Sequence, residues 1–233
     1  MSKNLFITGT GTDVGKTYIT GLIVKKLHEN GLHAAYYKAA MSGNGRRPDG
    51  SLIPGDALHV KTVSGIEQPL AEMCPYIYEA AVSPHLAAKL EQMPVEMDRV
   101  LQGFDALASR YAYVTAEGSG GILCPLRFDG REIWLEDFIT ARNLGCLLVA
   151  DAGLGTINAV LLTAEYMKAH RIPLKGIIFN RYEPGNPMHE DNRRMCGQLA
   201  GLDVLACVKE GDTALDIPLA VLEALYGQER GTI

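Results

Sequence analysis

One stretch near the start of the chain decides the fold class: Gly9-Thr10-Gly11-Thr12-Asp13-Val14-Gly15-Lys16-Thr17. It follows an apolar run over residues 5–8 and precedes a segment whose apolar residues recur at helical spacing. Glycines at such a junction let backbone N–H groups converge on phosphate oxygens, and the helix start adds partial positive charge. We expect Lys16 to reach the β- and γ-phosphates and the Thr17 hydroxyl to bind Mg²⁺. The stretch therefore predicts a triphosphate-binding loop.

The spacing inside this loop is unusual. The common pattern GxxxxGK[ST] would place its first glycine at position 10, where the chain has Thr10, and five residues separate Gly9 from Gly15. The dinucleotide pattern GxGxxG fails because Val14 stands at its third glycine. A plain glycine-rich turn is the alternative, but Gly-Lys-Thr between a strand and a helix favours phosphate binding.

Short apolar runs rich in Val, Ile and Leu predict strands that are buried on both faces. They cover residues 5–8, 34–38, 113–116, 146–150, 176–180 and 204–208. Helical patterns lie between them: one closed by Gly31, one over residues 94–110, and one opened by Ser83 and Pro84 that runs to about residue 90. This alternation predicts a single α/β domain over residues 1–233, with a mostly parallel, doubly wound sheet. The irregular segment 42–55 contains four glycines and two prolines, and such a long loop is usually functional.

Composition excludes several classes of protein. Of the 233 residues, 47% are hydrophobic and 21% charged, which fits one compact domain. The formal charge of −5 and the absence of a block of like charge argue against nucleic acid as a partner. The start MSKNLFITG lacks the pattern of a signal peptide, and no run approaches the roughly 18 apolar residues of a membrane span, so we expect a cytoplasmic protein. The five scattered cysteines form no metal-binding pattern and are expected to be buried.

Polar residues follow the predicted strands where a bound triphosphate would need them. Lys38 and Glu117 come directly at strand ends, and we expect a cleft lysine and a metal-binding carboxylate, although a solvated lysine and a turn-capping glutamate are the alternatives. Asp151 closes another strand and competes with Glu117 for the metal. Asp56 reads most simply as a helix N-cap, and Asn180 either contacts a nucleobase or starts a turn.

Seven segments, taken together in this order, point to a particular family of phosphate-loop proteins. They are GTGTDVGKT, YYKAAMSG, PGDA, SPHLAA, VTAEGSGG, LGTINAVLLT and IIFNR, within positions 4–181. In content and order the chain resembles the dethiobiotin synthetases, whose phosphate loop also carries five residues between its glycines. Ala39 stands where that family commonly has proline, and Ser119 replaces a frequent alanine.

The resemblance implies roles for individual residues. It implies that Lys38 is catalytic together with Lys16, that Ser42, Gly155 and Asn158 contact the substrate, and that Thr17, Asp56 and Glu117 bind Mg²⁺. Under this resemblance Asp56 is a metal ligand instead of a helix N-cap, and Asp151 is no longer a candidate metal ligand. The residues implied to hold ATP are Thr12, Asp13, Val14, Gly15, Lys16, Thr17, Tyr18, Asp56, Glu117, Gly118, Ser119, Gly120, Asn180 and Arg181, with residues 207–210 near the adenine.

The resemblance also implies the reaction. In that family 7,8-diaminononanoate, CO₂ or bicarbonate, and ATP give dethiobiotin, a cyclic urea, in a step of biotin biosynthesis. The substrate carboxylate lies at a helix start of the other subunit, matched here by residues 153–158, which implies a homodimer. The alternatives are a related ATPase of the cobyrinate-synthetase or partitioning type, and a nucleotide-dependent switch without chemistry of its own. We expect neither ATPase type, because 233 residues leave no room for the glutaminase module of the cobyrinate-synthetase type, and the loop has no extra early lysine of the partitioning type.

Overall fold

The computed structural model describes residues 2–227 of the chain. Its strands are β1 (Lys3–Gly9), β2 (Ala34–Lys38), β3 (Ala40–Met41), β4 (Tyr76–Ile77), β5 (Tyr113–Glu117), β6 (Pro125–Phe128), β7 (Glu132–Trp134), β8 (Gly145–Asp151), β9 (Leu174–Asn180) and β10 (Val204–Cys207). Six of them form one sheet in the order β10-β9-β8-β1-β5-β2, and every neighbouring pair in it is parallel. The central strand β1 lies where the strand order reverses, and such a switch point is where α/β sheets bind ligands.

Helices cover both faces of this sheet. They are α1 (Lys16–Glu29), α2 (Gly55–Ser64), α3 (Pro84–Leu90), α4 (Met97–Ala108), α5 (Leu135–Ala141), α6 (Thr156–Ala169), α7 (Pro187–Ala200) and α8 (Leu219–Leu225), with a 3₁₀ turn at Leu70–Glu72. Alternate residues of each strand point to opposite faces. Leu5 and Ile7 therefore pack with residues of α1, α2 and α8, whereas Phe6 packs with residues of α4 and α5. The mostly parallel α/β architecture predicted from the sequence is confirmed.

The predicted elements agree with the observed ones, with small shifts at their ends. All six apolar runs are strands of the central sheet. Gly31 has the left-handed φ of 74° expected after α1. The helix predicted over residues 94–110 begins later, at Met97, because Val95 is buried in the core and Glu96 is extended. Ser83 precedes α3 as expected, but its side chain makes no capping hydrogen bond.

The glycine-rich segment 42–55 is more regular than its composition predicts. Arg46 and Leu52 pair as an antiparallel bridge, and the Gly50 N–H donates to the Arg47 carbonyl across the turn. Asn44 is buried beneath it, donating to the carbonyls of Met41 and Tyr78 and accepting from the Gly55 N–H. This amide therefore fixes the start of α2, and with it Asp56.

The outer edge of β2 is closed by a side chain instead of another strand. The Gln68 amide accepts from the backbone N–H of Tyr36 at 2.8 Å and donates to its carbonyl at 3.0 Å. Next to it, the Lys38 N–H donates to the Met73 carbonyl. Gln68 is buried, so it completes the backbone hydrogen bonds of an edge that water does not reach.

We expect Gln68→Ala to lower the free energy of unfolding by about 1–3 kcal/mol, since buried backbone groups lose their partners. Chemical denaturation measures this change. The control is Gln198→Ala, whose amide lies on the exposed side of α7. Equal stability of the two variants would contradict this role for Gln68.

The five cysteines are free thiols; four of them are buried as predicted, whereas Cys207 is half-buried. No helix within residues 2–227 is long and apolar enough to cross a membrane.

Candidate nucleotide and metal site

The loop from Gly9 to Thr17 joins the carboxyl end of β1 to the start of α1. Gly15 precedes the first helical residue with a φ of 91°, and a Cβ atom there would lie 2.0 Å from the Asn180 Nδ2 atom. Only glycine fits, because the backbone is left-handed and the space is filled. Asp13 is also left-handed, with a φ of 61°. The loop thus has the strand–loop–helix context that phosphate binding requires.

Lys16 is the first residue of α1 and its side chain is buried over the loop. Its ammonium group donates to the Gly11 carbonyl at 2.7 Å. Burial, and after it the charge of Lys38, lowers the pKa of Lys16 to about 8. The lysine therefore lies where incoming negative charge would stabilise its protonated form.

Lys38 lies between two carboxylates. Its Nζ atom is 2.6 Å from Asp56 Oδ2 and 2.7 Å from Glu117 Oε1. Burial by itself lowers the pKa of Lys38, but the charges of Glu117 and Asp56 outweigh it and raise this pKa above its usual value. Lys38 is therefore a fixed cation at the end of β2.

Glu117 is the centre of this polar cluster and is only 1% exposed. Its Oε1 atom accepts hydrogen bonds from the Thr17 hydroxyl at 2.7 Å and from Lys38. Its Oε2 atom accepts from the Tyr36 hydroxyl at 3.1 Å. Parallel pairing sets Lys38 beside Glu117, since the two residues are partners in the register of β2 and β5. The sheet thus brings together residues 79 positions apart in sequence.

These residues surround a cleft of about 490 Å³ at the carboxyl ends of the strands. Most of the residues predicted from the sequence line it: Thr12, Asp13, Gly15, Lys16, Thr17, Lys38, Ser42, Asp56, Glu117, Ser119, Gly120 and Arg181. Asp56 lies in the first turn of α2 with Pro54 as N-cap, so the simpler N-cap reading of Asp56 is wrong.

Asn180 and Arg181 lie beside the phosphate loop at the end of β9. The buried Asn180 amide donates to the Val14 carbonyl at 3.1 Å. The Arg181 guanidinium donates to the Asp13 carbonyl at 2.8 Å and to Asp151 at 2.7 Å. Asp151 is thus paired with Arg181, and it makes none of the contacts that connect Thr17, Lys38 and Glu117.

Other predicted residues lie outside the lining of this cleft. Val14 and Gly118 are buried behind it, and the Tyr18 hydroxyl donates to the Asp212 carbonyl. Gly155 and Asn158 are exposed at the start of α6, away from the cleft of their own chain. Tyr36 is not among the residues predicted for the site, although it contacts Glu117. Its position two residues before Lys38 was a usable signal, because strand alternation places both side chains on one face.

Thr17, Asp56 and Glu117 offer hard oxygen donors, the kind that Mg²⁺ prefers. Within residues 2–227 no group of three or more His, Cys, Asp or Glu side chains could hold a metal alone. Two carboxylates and a hydroxyl fit Mg²⁺, which commonly binds through one or two carboxylates together with substrate phosphates. The donor set is therefore suited to a metal that arrives with a nucleotide.

Comparison with solved structures supports the fold. A ParA family ATPase from Chlorobium tepidum TLS superposes with a TM-score of 0.54 at 15% identity, over 97% of this chain and 91% of that one. The MinC:MinD cell division protein complex of Aquifex aeolicus also superposes with a TM-score of 0.54, at 13% identity, over 97% of this chain and 87% of that one. At these identities the likeness shows a shared architecture.

Sequence comparison identifies the family. A family model described as an AAA domain matches residues 3–214. The ATP-dependent dethiobiotin synthetase BioD of Clostridium botulinum (strain Loch Maree / Type A3) is 43% identical over 226 residues, 97% of this chain and 99% of the relative. The ATP-dependent dethiobiotin synthetase BioD of Brachyspira hyodysenteriae is 42% identical over 217 residues, which are 93% of this chain and 96% of the relative. With such identity over nearly its whole length, the chain is a ligase and belongs to the ATP-dependent dethiobiotin synthetase family.

Proposed function

We propose that this protein closes the cyclic urea of dethiobiotin from 7,8-diaminononanoate, CO₂ and ATP, as a step of biotin biosynthesis. Its family membership supports an ATP-dependent role in that pathway. The specific reaction is supported by a cluster of five polar side chains around one cleft: Lys16, Thr17, Lys38, Asp56 and Glu117. The two lysines there would face the anionic phosphates and carbamate, and the two carboxylates with the Thr17 hydroxyl would hold Mg²⁺.

The chemistry needs ATP because a carbamate oxygen is a poor leaving group. One substrate amine adds to CO₂ and loses a proton, which forms a carbamate. A carbamate oxygen then attacks the γ-phosphorus, and the bond from that phosphorus to the β–γ bridging oxygen breaks, releasing ADP. The second amine attacks the carbonyl carbon of the mixed anhydride, closes the ring and, after losing a proton, leaves a urea while phosphate departs.

The protein's part is alignment and neutralisation of charge, as in other phosphoryl transfers. The loop N–H groups and Lys16 hold the triphosphate, with Thr12 and Asp13 along its edge. Lys38 lines the same cleft as Ser42, and its charge would stabilise the carbamate and the transferring phosphoryl group. The neighbouring carboxylates keep Lys38 protonated, so it acts as an electrostatic group and not as a base.

Thr17, Asp56 and Glu117 would hold Mg²⁺ at this site. A bound Mg²⁺ supplies charge neutralisation at the β- and γ-phosphates. The carboxylates that would bind it also hold Lys38, so the same residues orient the metal and the catalytic lysine.

The direct test is incubation of the protein with 7,8-diaminononanoate, ¹³C-bicarbonate and Mg·ATP, followed by mass spectrometry. We expect a cyclic urea that contains one ¹³C atom and forms only when ATP is present. Absence of this product, with ATP still bound, would contradict the proposed reaction and favour an ATPase of another substrate.

We propose further that the substrate site is completed by a second copy of the chain, with Gly155 and Asn158 of one subunit facing the cleft of the other. Both residues are exposed in their own chain, and Leu154 beside them is 94% exposed. Leu162, further along α6, is also exposed. Large apolar side chains on one exposed segment are typical of an interface.

A mixing experiment tests this arrangement. Lys38→Ala and Asn158→Ala should each be nearly inactive, but a mixture unfolded and refolded together should recover about a quarter of wild-type activity, because one site in each mixed dimer is intact. Light scattering should give the mass of a dimer. A mixture that stays as inactive as its components would contradict a shared site.

A further inference from the structure

Tyr36 touches the proposed metal site from behind. Its side chain is fully buried, and its hydroxyl donates to the Glu117 Oε2 atom at 3.1 Å. The other carboxylate oxygen, Oε1, faces Thr17 and Lys38. The two oxygens of Glu117 are therefore held in different directions, one towards the cleft and one towards Tyr36.

The backbone of Tyr36 is fixed as firmly as its hydroxyl. The Gln68 amide holds both its N–H and its carbonyl at the sheet edge. Tyr36 is a rigid donor beneath a carboxylate that is itself excluded from water.

We propose that Tyr36 is a positioning residue for the Glu117 carboxylate, setting the orientation in which Glu117 binds the nucleotide-associated metal. This inference rests on the proposed function of Glu117 as a metal ligand. Without the hydroxyl, Oε2 would lack its partner, and the carboxylate could turn away from the orientation that serves Thr17 and the metal. Outer hydrogen bonds to metal-binding carboxylates commonly contribute 10–100-fold to metal affinity or activity.

Tyr37 is a matched control because it differs from Tyr36 chiefly in what its hydroxyl contacts. It is the next residue of β2, equally buried, and it points to the opposite face of the sheet. Its hydroxyl donates to the Val100 carbonyl at 2.6 Å, away from Glu117. Tyr36→Phe and Tyr37→Phe each remove one buried hydroxyl and keep the ring, so both should fold.

The experiment measures binding of a non-hydrolysable ATP analogue by calorimetry, once with EDTA and once with saturating Mg²⁺. The ratio of the two dissociation constants reports the coupling between metal and nucleotide. We expect Tyr36→Phe to bind the analogue as wild type does in EDTA but about tenfold more weakly than wild type with Mg²⁺. Tyr37→Phe should keep the wild-type ratio, and kcat should fall only in Tyr36→Phe.

A wild-type ratio in Tyr36→Phe, or an equal loss of coupling in both variants, would overturn the proposal. Denaturation of both variants shows whether they lose similar stability, as the loss of one buried hydrogen bond in each predicts. Formation of dethiobiotin by the wild-type protein is measured separately. Failure of the proposed reaction is therefore distinguishable from failure of the role of Tyr36.

Discussion

Lys38→Ala is expected to lower kcat by about a hundredfold or more, the scale on which one electrostatic contact to a transition state acts. The KM for ATP should change little, because Lys16 and the loop N–H groups remain. Lys38→Met, which keeps the length of the side chain without its charge, should behave as Lys38→Ala does. Steady-state kinetics with saturating bicarbonate measure both variants, and turnover at the wild-type rate would contradict the role of Lys38.

The same substitution should also weaken the fold in the absence of ligands. Lys38 balances Glu117, which is only 1% exposed, and removing one partner of a buried ion pair costs about 3 kcal/mol. Kinetic measurements therefore need Mg·ATP in the buffer and a check that the variant is folded. Full stability of Lys38→Ala without ligand would contradict this contribution of the buried ion pair.

Lys16→Ala should affect both nucleotide binding and turnover. Lys16 is buried at the start of α1 beside the loop, and a charged hydrogen bond to phosphate contributes about 1.5–3 kcal/mol. We expect the dissociation constant for ATP to rise by roughly 10–100-fold and kcat to fall by about a hundredfold.

Lys25→Ala is the control for this variant. Lys25 lies on the same helix, but its ammonium group donates to the Thr213 carbonyl on the surface. Calorimetry with ATP should show wild-type affinity for it. Unchanged ATP affinity in Lys16→Ala would contradict the reading of residues 9–17 as the triphosphate loop.

Much of this fold is predictable because its strands are buried on both faces. Such strands are continuous apolar runs, and the six runs in this sequence are the six strands of the sheet. Short elements carry a weaker signal. The hairpin of β6 and β7 has only four and three residues, and its register is irregular between Pro125 and Arg127.

The site was predictable for a related reason. Lys38 and Glu117 each end a parallel strand, and parallel strands bring their carboxyl ends to one edge of the sheet. The sequence does not show what lies behind a ligand. Tyr36 reads as an ordinary aromatic strand residue, and its contact with Glu117 depends on the register between β2 and β5 and on the edge contact from Gln68.

The structure of the segment 42–55 is only partly predictable from the sequence. Its glycines and prolines mark it correctly as a loop, but the sequence does not reveal that Asn44 is buried beneath it. A polar residue in a polar loop looks solvated until its partners are known. The role of Asp56 cannot be decided from its neighbours in sequence for the same reason. Its contact with Lys38 depends on where Asn44 holds the start of α2.

If ATP phosphorylates a carbamate, one bicarbonate oxygen is transferred to phosphate, and isotopic labelling can follow it. With ¹⁸O-bicarbonate in unlabelled water, and a reaction time that is short compared with oxygen exchange between bicarbonate and water, one labelled oxygen should leave with each phosphate and one should remain in the urea carbonyl. Phosphate is analysed by mass spectrometry, with a parallel reaction lacking the diamine as the control for exchange and for ATP hydrolysis. Label in the urea with none in the phosphate, when only the bicarbonate is labelled and exchange with water is shown to be slow, would contradict the carbamate–phosphate anhydride.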